Sequence, residues 1–138
     1  QIVALAILMP IVASMGGNAG TQALTIAVRA LATKELSSTN AWRVIGKEVA
    51  VGALNGISFA IIAGAVTWLW FDSPQLGTII GMAMIFNLVI AGFSGAAIPV
   101  VLSKYGLDPA VSSGVFLTTI TDMVGFFAFL GLAATFLI

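Results

Sequence analysis

One carboxylate in this sequence stands far from any charged partner. Asp122 is preceded by hydroxyls at Thr118 and Thr119, four and three residues back. That spacing places all three on one face of a helix. Ser112, Ser113 and Thr121 lie in the same segment, and with Gly114 they extend a polar stripe along a stretch otherwise rich in Phe. Oxygen is the ligand chemistry on offer. The chain has no Cys and no His, which removes thiolate and imidazole metal sites, thiol nucleophiles, imidazole bases and disulfides together. Oxygen-only sets hold hard cations best. A structural carboxyl bonded by threonines and a titrating proton relay are the rival readings of Asp122.

A second polar group sits in the run MGGNAGTQ, residues 15–22, where three glycines, Asn18 and Gln22 interrupt an apolar segment. This composition predicts a break in the helix, with Pro10 weakening it from the other side. Irregular backbone at membrane depth is tolerated only where it is buried in protein or lines a watery cavity. The carbonyls of Gly16, Gly17 and Gly20 would then be available as hard ligands beside Asn18. The competing expectation is a glycine patch for close helix crossing. Asn55 and Asn87, also far from the joints, read as hydrogen-bonders between helices.

The elements that must position these groups are long apolar helices. Hydrophobic residues make up 60% of the 138 positions and charged residues 7%, against about 25% charged in soluble domains. The net charge is zero, which argues against nucleic acid as a partner. A bilayer core of about 30 Å takes about 20 helical residues, and four segments reach that length: 2–32, 42–71, 75–102 and 109–137. The expectation is an all-α integral membrane bundle with four spans, a single ion-conducting domain over 1–138. Ser37 to Asn40, Ser73-Pro74 and Asp108-Pro109 offer caps and starts for the second, third and fourth helices. Tyr105-Gly106 offers a stop for the third. Gly52-x-x-x-Gly56, Gly77-x-x-x-Gly81 and the small residues of 91–97 predict tight helix contacts.

Charge sets the orientation. Arg29, Lys34, Arg43, Lys47 and Lys104 all flank the first and third joints, whereas the middle joint has Asp72 and no basic residue. The positive-inside rule makes the first and third joints cytoplasmic and puts the C-terminus on the outer side. The first segment then starts outside, so a cytoplasmic N-terminus requires a further span upstream. The chain begins at Gln1 in apolar sequence and reads as a fragment. Depth follows from the same frame. Asp122 is about 21 Å along a helix from Asp108, and Asn18 is about 22 Å from the cytoplasmic end of its own. An ionisable group at such depth usually faces a cavity or a partner. One carboxylate cannot neutralise a divalent ion, but two chains about a two-fold axis supply two. A sparse, wet, oxygen-only site suits Mg²⁺, which gives up its water reluctantly.

Two long stretches carry a resemblance. MGGNAGTQALTIAVRALAT, and DPAVSSGVFLTTITDMVGF about ninety residues later, resemble the membrane domain of the MgtE magnesium-channel family and, with it, the eukaryotic solute-carrier magnesium transporters. The resemblance implies a homodimer in the cell (inner) membrane with five helices per subunit, of which these four are the second to fifth. It implies a pore on the two-fold axis, lined by the first and fourth segments here. Asp122 matches the family's pore-centre aspartate, Thr118 the position one turn before it and Gly114 the position a turn earlier. Gly16, Gly17, Asn18 and Gly20 match its glycine-asparagine motif. Gly114 stands where some members carry Asn, which moves the polar contact toward Ser113. Cytoplasmic regulatory domains that sense Mg²⁺ are the further partners implied.

Together these readings predict a Mg²⁺ channel or transporter domain, with Mn²⁺ and other divalents as further candidate cargo. Asp122, Thr118, Thr119, Ser113 and Gly114 would form one wall and Gly16, Gly17, Asn18 and Gly20 the other. Two alternatives differ in class: a proton-coupled secondary transporter, and a membrane assembly bundle that transports nothing. No acid–base pair for enzyme chemistry is visible in the sequence.

Overall fold

A computed structural model of the chain describes residues 2–33 and 40–136, with side chains described at all of these except 2, 4, 5 and 109–113. The fold is all helical: α1 (Ile2–Ala32), α2 (Ala41–Phe71), α3 (Pro74–Lys104) and α4 (Pro109–Phe136). The first three have 31 residues and α4 has 28. At 1.5 Å per residue each exceeds a hydrocarbon core of about 30 Å. Among the described residues, α2, α3 and α4 are long and apolar enough to cross a membrane. The expected fourth span, α1, has the same length of 31 residues.

Local chemistry sets the helix ends. Ser73 caps α3, its Oγ accepting from the Leu76 amide at 3.2 Å, with Pro74 opening the helix. Asp72 closes α2 in the left-handed region, φ 51. Tyr105 follows α3 and Gly106 turns away at φ 79, a backbone that glycine adopts without strain. Asn40 stands before α2, and the expected serine and threonine caps at 37–39 lie outside the described residues.

α3 is the hub. It packs against α1, α2 and α4, α1 also packs against α4, and α1 scarcely touches α2. Half of the most apolar stretch of α3 is buried within the bundle, against 22% for α4 and 11% for α2. The α2–α3 seam is a glycine seam, as the spacing predicts. A methyl added at Gly52 would run into the Leu88 carbonyl, and one at Gly92 into the Glu48 carbonyl. At Gly77 it would stand 2.6 Å from the Gly64 carbonyl, and at Gly56 2.9 Å from Ile85 Cα. Helices in lipid gain little from hiding apolar surface, so such close backbone approach supplies the attraction.

The break expected at MGGNAGTQ does not occur: α1 runs unbroken through it. Every backbone group at membrane depth needs a partner, and the helix supplies one internally. Two of the glycines serve contact instead. A methyl at Gly16 would collide with the Asn87 side chain, and one at Gly20 would lie 2.9 Å from Leu117 Cδ1.

Candidate functional site

The groups singled out by their chemistry lie on α1 and α4, which are neighbours. A methyl on Gly125 would stand 3.3 Å from Ala13 Cα, and the Gly20 contact is with Leu117. The two helices are therefore antiparallel, with Ala13 level with Gly125 and Gly20 level with Leu117. Interpolation puts Asp122 level with about Gly16, and Thr119 with about Asn18. The matching depths read from the sequence hold to within a turn.

Each helix has a buried row and a polar row. On α4, Leu117, Thr121, Gly125, Phe129 and Ala133 are buried, one residue in every four. Ile120 borders a hollow with Ala97, Ile98 and Val101, so α3 lies on the Ile120 side of that row. Thr118 and Asp122 lie on the other side, past α1. Thr118 is exposed and Asp122 is half-buried. No hydrogen bond or ion pair reaches the Asp122 carboxylate or the Thr118 hydroxyl from the described residues. Gly114, a turn earlier, is open, with nothing within 4 Å of where its methyl would be.

The other hydroxyls differ. Thr119 is exposed, and its Oγ1 donates back to the Val115 carbonyl at 2.8 Å. Thr121 is buried and turned onto its own helix, donating to Leu117 O at 3.1 Å and Thr118 O at 3.2 Å. It belongs to the packing. The side chain of Ser113 lies outside the described residues.

On α1, Gly16 and Ala23 face α3, where Asn87 and Gly95 meet them, while Ala13 and Gly20 face α4. Continuing round the helix in the same sense come Gly17, then Ser14 and Thr21, then Thr25 and Asn18. Gly17 has nothing within 4 Å of a methyl, and Ser14, Asn18, Thr21 and Thr25 are all exposed. Thr21 and Thr25 donate to the carbonyls of Gly17 (2.8 Å) and Thr21 (2.9 Å). Their oxygens remain free to accept. Gly17 on α1 and Thr118 and Asp122 on α4 thus lie on the same outer side of the α1–α4 seam, while Asn18 lies further round α1, on the side of Gln22. Gly16 and Gly20 are not brought there; they face inward. Ser14, Thr21 and Thr25 are exposed between Gly17 and Asn18 round the helix, although the sequence reading passed over them. The signal that would have found them is their spacing with Asn18, at 14, 18, 21 and 25, a helical stripe of polar residues.

Two asparagines diverge. Asn87 is fully buried on α3 and donates from Nδ2 to Val12 O on α1 at 2.9 Å, the bond between helices that was expected. Its Oδ1 is buried without a partner. Asn55 makes no such bond among the described residues and borders a small cavity between α1, α2 and α3. Among the described residues no three His, Cys, Asp or Glu side chains gather as a metal cluster.

The sequence profile of the MgtE family, described as divalent cation transporter, matches residues 9–132. The magnesium transporter MgtE of Enterococcus faecalis is 37% identical over 96% of this chain and 29% of its own length. That of Bacillus subtilis is 33% identical over 99% and 30%, and that of Thermus thermophilus 34% over 96% and 29%. The chain spans about three tenths of the length of these curated relatives.

Proposed function

Because the chain belongs to the MgtE family of divalent cation transporters, we propose that it is the membrane part of a Mg²⁺ channel, formed by two copies about a two-fold axis. The observation that carries this reading is the pair of outward-facing polar rows on α1 and α4, with an unpartnered carboxylate among them. Such groups are costly against lipid and settle where a cavity or partner chain receives them. A second copy set against this groove would place two Asp122 carboxylates opposite each other, the charge a divalent cation needs.

In this mechanism Mg²⁺ moves down its electrochemical gradient with part of its water shell intact. Asp122 supplies the central charge. Thr118, Thr119, Ser113 and Asn18 hold the water shell, while Gly114 and Gly17 leave room for it. Gly16 and Gly20 act indirectly by letting α1 approach α3 and α4. The five basic residues lie on the cytoplasmic side, so the chain's C-terminus is outside. The family is one of transporters rather than enzymes.

The test is Mg²⁺ uptake into proteoliposomes without a pH gradient, wild type against Asp122→Asn. Uptake by wild type that falls to background in the variant is the expected result. Equal uptake by both would sink the role of Asp122, and uptake that needs a proton gradient would replace the channel by a coupled transporter.

A further inference from the structure

One side chain of α3 reaches both helices that carry the polar rows. Asn87 donates from Nδ2 to Val12 O of α1 at 2.9 Å. A methyl on Gly16 of α1 would collide with the same amide, and one on Gly125 of α4 would stand 3.0 Å from Nδ2. Glycine on both helices therefore makes the room that the amide fills. Ala13 is level with Gly125 and Gly20 with Leu117, so Gly16, and the amide against it, lie level with Asp122. Asn87 stands behind the α1–α4 seam, whereas Gly17 and Asp122 stand on its outer side. Gly17 adjoins Gly16, and Asp122 is three residues before Gly125. The amide thus touches α1 and α4 within a turn of both.

Stability alone does not call for an amide at this place. Asn87 is fully buried, and its Oδ1 has no partner among the described residues. An unmet buried acceptor is destabilising. Ala83, Met84, Leu88 and Ala91, its neighbours on α3, are all buried and apolar. Leucine also branches at Cγ and would bury no polar group. What Asn adds is a directional bond, tied to one carbonyl of α1 and so to one register of that helix. Natural proteins break such local rules mainly where function requires it.

We propose that Asn87 is a positioning residue for cation selection. It holds α1 and α4 at one register and spacing at the depth of Asp122, and so fixes how far the Asp122 carboxylate stands from the open face of α1 at Gly17. Mg²⁺ demands a near-ideal octahedron and keeps several waters, whereas Ca²⁺ accepts more oxygens in a flexible geometry. Cavity size and rigidity decide between the two ions. A path of fixed width suits Mg²⁺ with its waters, and one that can relax admits Ca²⁺ as well. The inference rests on the channel reading above and adds to it a residue that the cation does not touch.

The experiment measures Mg²⁺ and Ca²⁺ uptake by the full-length protein in proteoliposomes, with melting followed on the same preparations. Wild type should favour Mg²⁺. In Asn87→Leu the ratio should shift toward Ca²⁺ by about two- to tenfold, the scale of one net hydrogen bond. Asn87→Ala should shift it in the same direction, and it serves if leucine is too large beside Gly16. Leu88→Ala is the control for packing. Leu88 is equally buried on α3 but meets Gly56 of α2, so this variant should melt lower and keep the wild-type ratio. An unchanged ratio in both Asn87 variants overturns the proposal, as does an equal shift in Leu88→Ala or a wild type that does not discriminate. Each of these outcomes leaves the channel reading standing if Asp122→Asn still abolishes uptake. Absence of Mg²⁺ uptake by wild type overturns the channel reading, and this inference with it.

Discussion

Glycine serves opposite ends in two parts of this molecule. In the α2–α3 seam, Gly52, Gly56, Gly77 and Gly92 each lie against a neighbour's backbone with no room for a methyl. Along the outer side of α1 and α4, Gly17 and Gly114 have nothing within 4 Å of that position. The first set lets two helices touch; the second leaves space beside polar side chains. What distinguishes them is the surface opposite, backbone in one region and open groove in the other. A glycine count, or a GxxxG pattern alone, cannot separate the two.

The largest expected effect would come from forcing the closed seam. In Gly92→Val the first added carbon meets the Glu48 carbonyl, and in Gly52→Val the Leu88 carbonyl. Overpacking typically costs about 1–3 kcal/mol, and more where backbone rather than a side chain must yield. Both variants should lose the monodisperse peak in size-exclusion chromatography, or melt well below wild type. Stable, well-behaved Gly92→Val protein would break the distinction between the regions at its firmest point.

A smaller effect is expected where a glycine faces a side chain. Gly16→Ala pushes into Asn87, which is fully buried and bonded to Val12 O. The amide must rotate or lose its bond, and a lost net hydrogen bond costs about 0.5–1.5 kcal/mol. Helix propensity returns part of that, about 1 kcal/mol for Gly to Ala. A modest fall in melting temperature should result, smaller than for Gly92→Val, with the Asn87→Ala background removing the clash and most of the fall. If Gly16→Ala loses as much stability in that background as alone, Asn87 is not what Gly16 accommodates.

Much of this was legible in the sequence because lipid narrows the choices. Four apolar runs with Ser-Pro, Asp-Pro and Tyr-Gly joints gave four helices with ends within two residues of those observed. The spacing of Gly52, Gly56 and Gly77 gave the tight seam, and Asn87 gave the bond between helices. The run at 15–22 misled because low helix propensity is outweighed where an open backbone would lack partners. Gly16 and Gly20 then turned out to be contacts. Glu48 escaped notice for another reason. It lies seven residues into α2, near Arg43 and Lys47, and position alone assigns it to a charged helix end. Only the three-dimensional placement of α1 and α3 over it makes it buried. Asp122 needed no such help, since a lone acid deep in an apolar helix is visible in one dimension. Its partners were only half visible, because Thr121 is a packing residue and Thr118 an open one, a difference of one position around the helix.

The smallest effect is the sharpest test, because its sign is predicted. Gly17 lies on α1 between the buried contacts of Gly16 and Gly20, yet its own methyl would meet nothing within 4 Å. In Gly17→Ala the helix gains propensity without a clash, so stability should rise by up to about 1 kcal/mol. The same methyl narrows the groove that faces Thr118 and Asp122, so Mg²⁺ uptake should fall while the protein becomes more stable. A packing glycine gives the opposite pattern, with stability falling first and transport following in proportion. Thermal melting and proteoliposome uptake on the same preparation separate the two. If Gly17→Ala lowers the melting temperature, a neighbour occupies the space that the single chain leaves open, and a second copy packed tightly against α1 is the nearest cause. If melting rises and uptake is unchanged, the cation passes on the α4 side of the groove, and Asn18 has no part in its path.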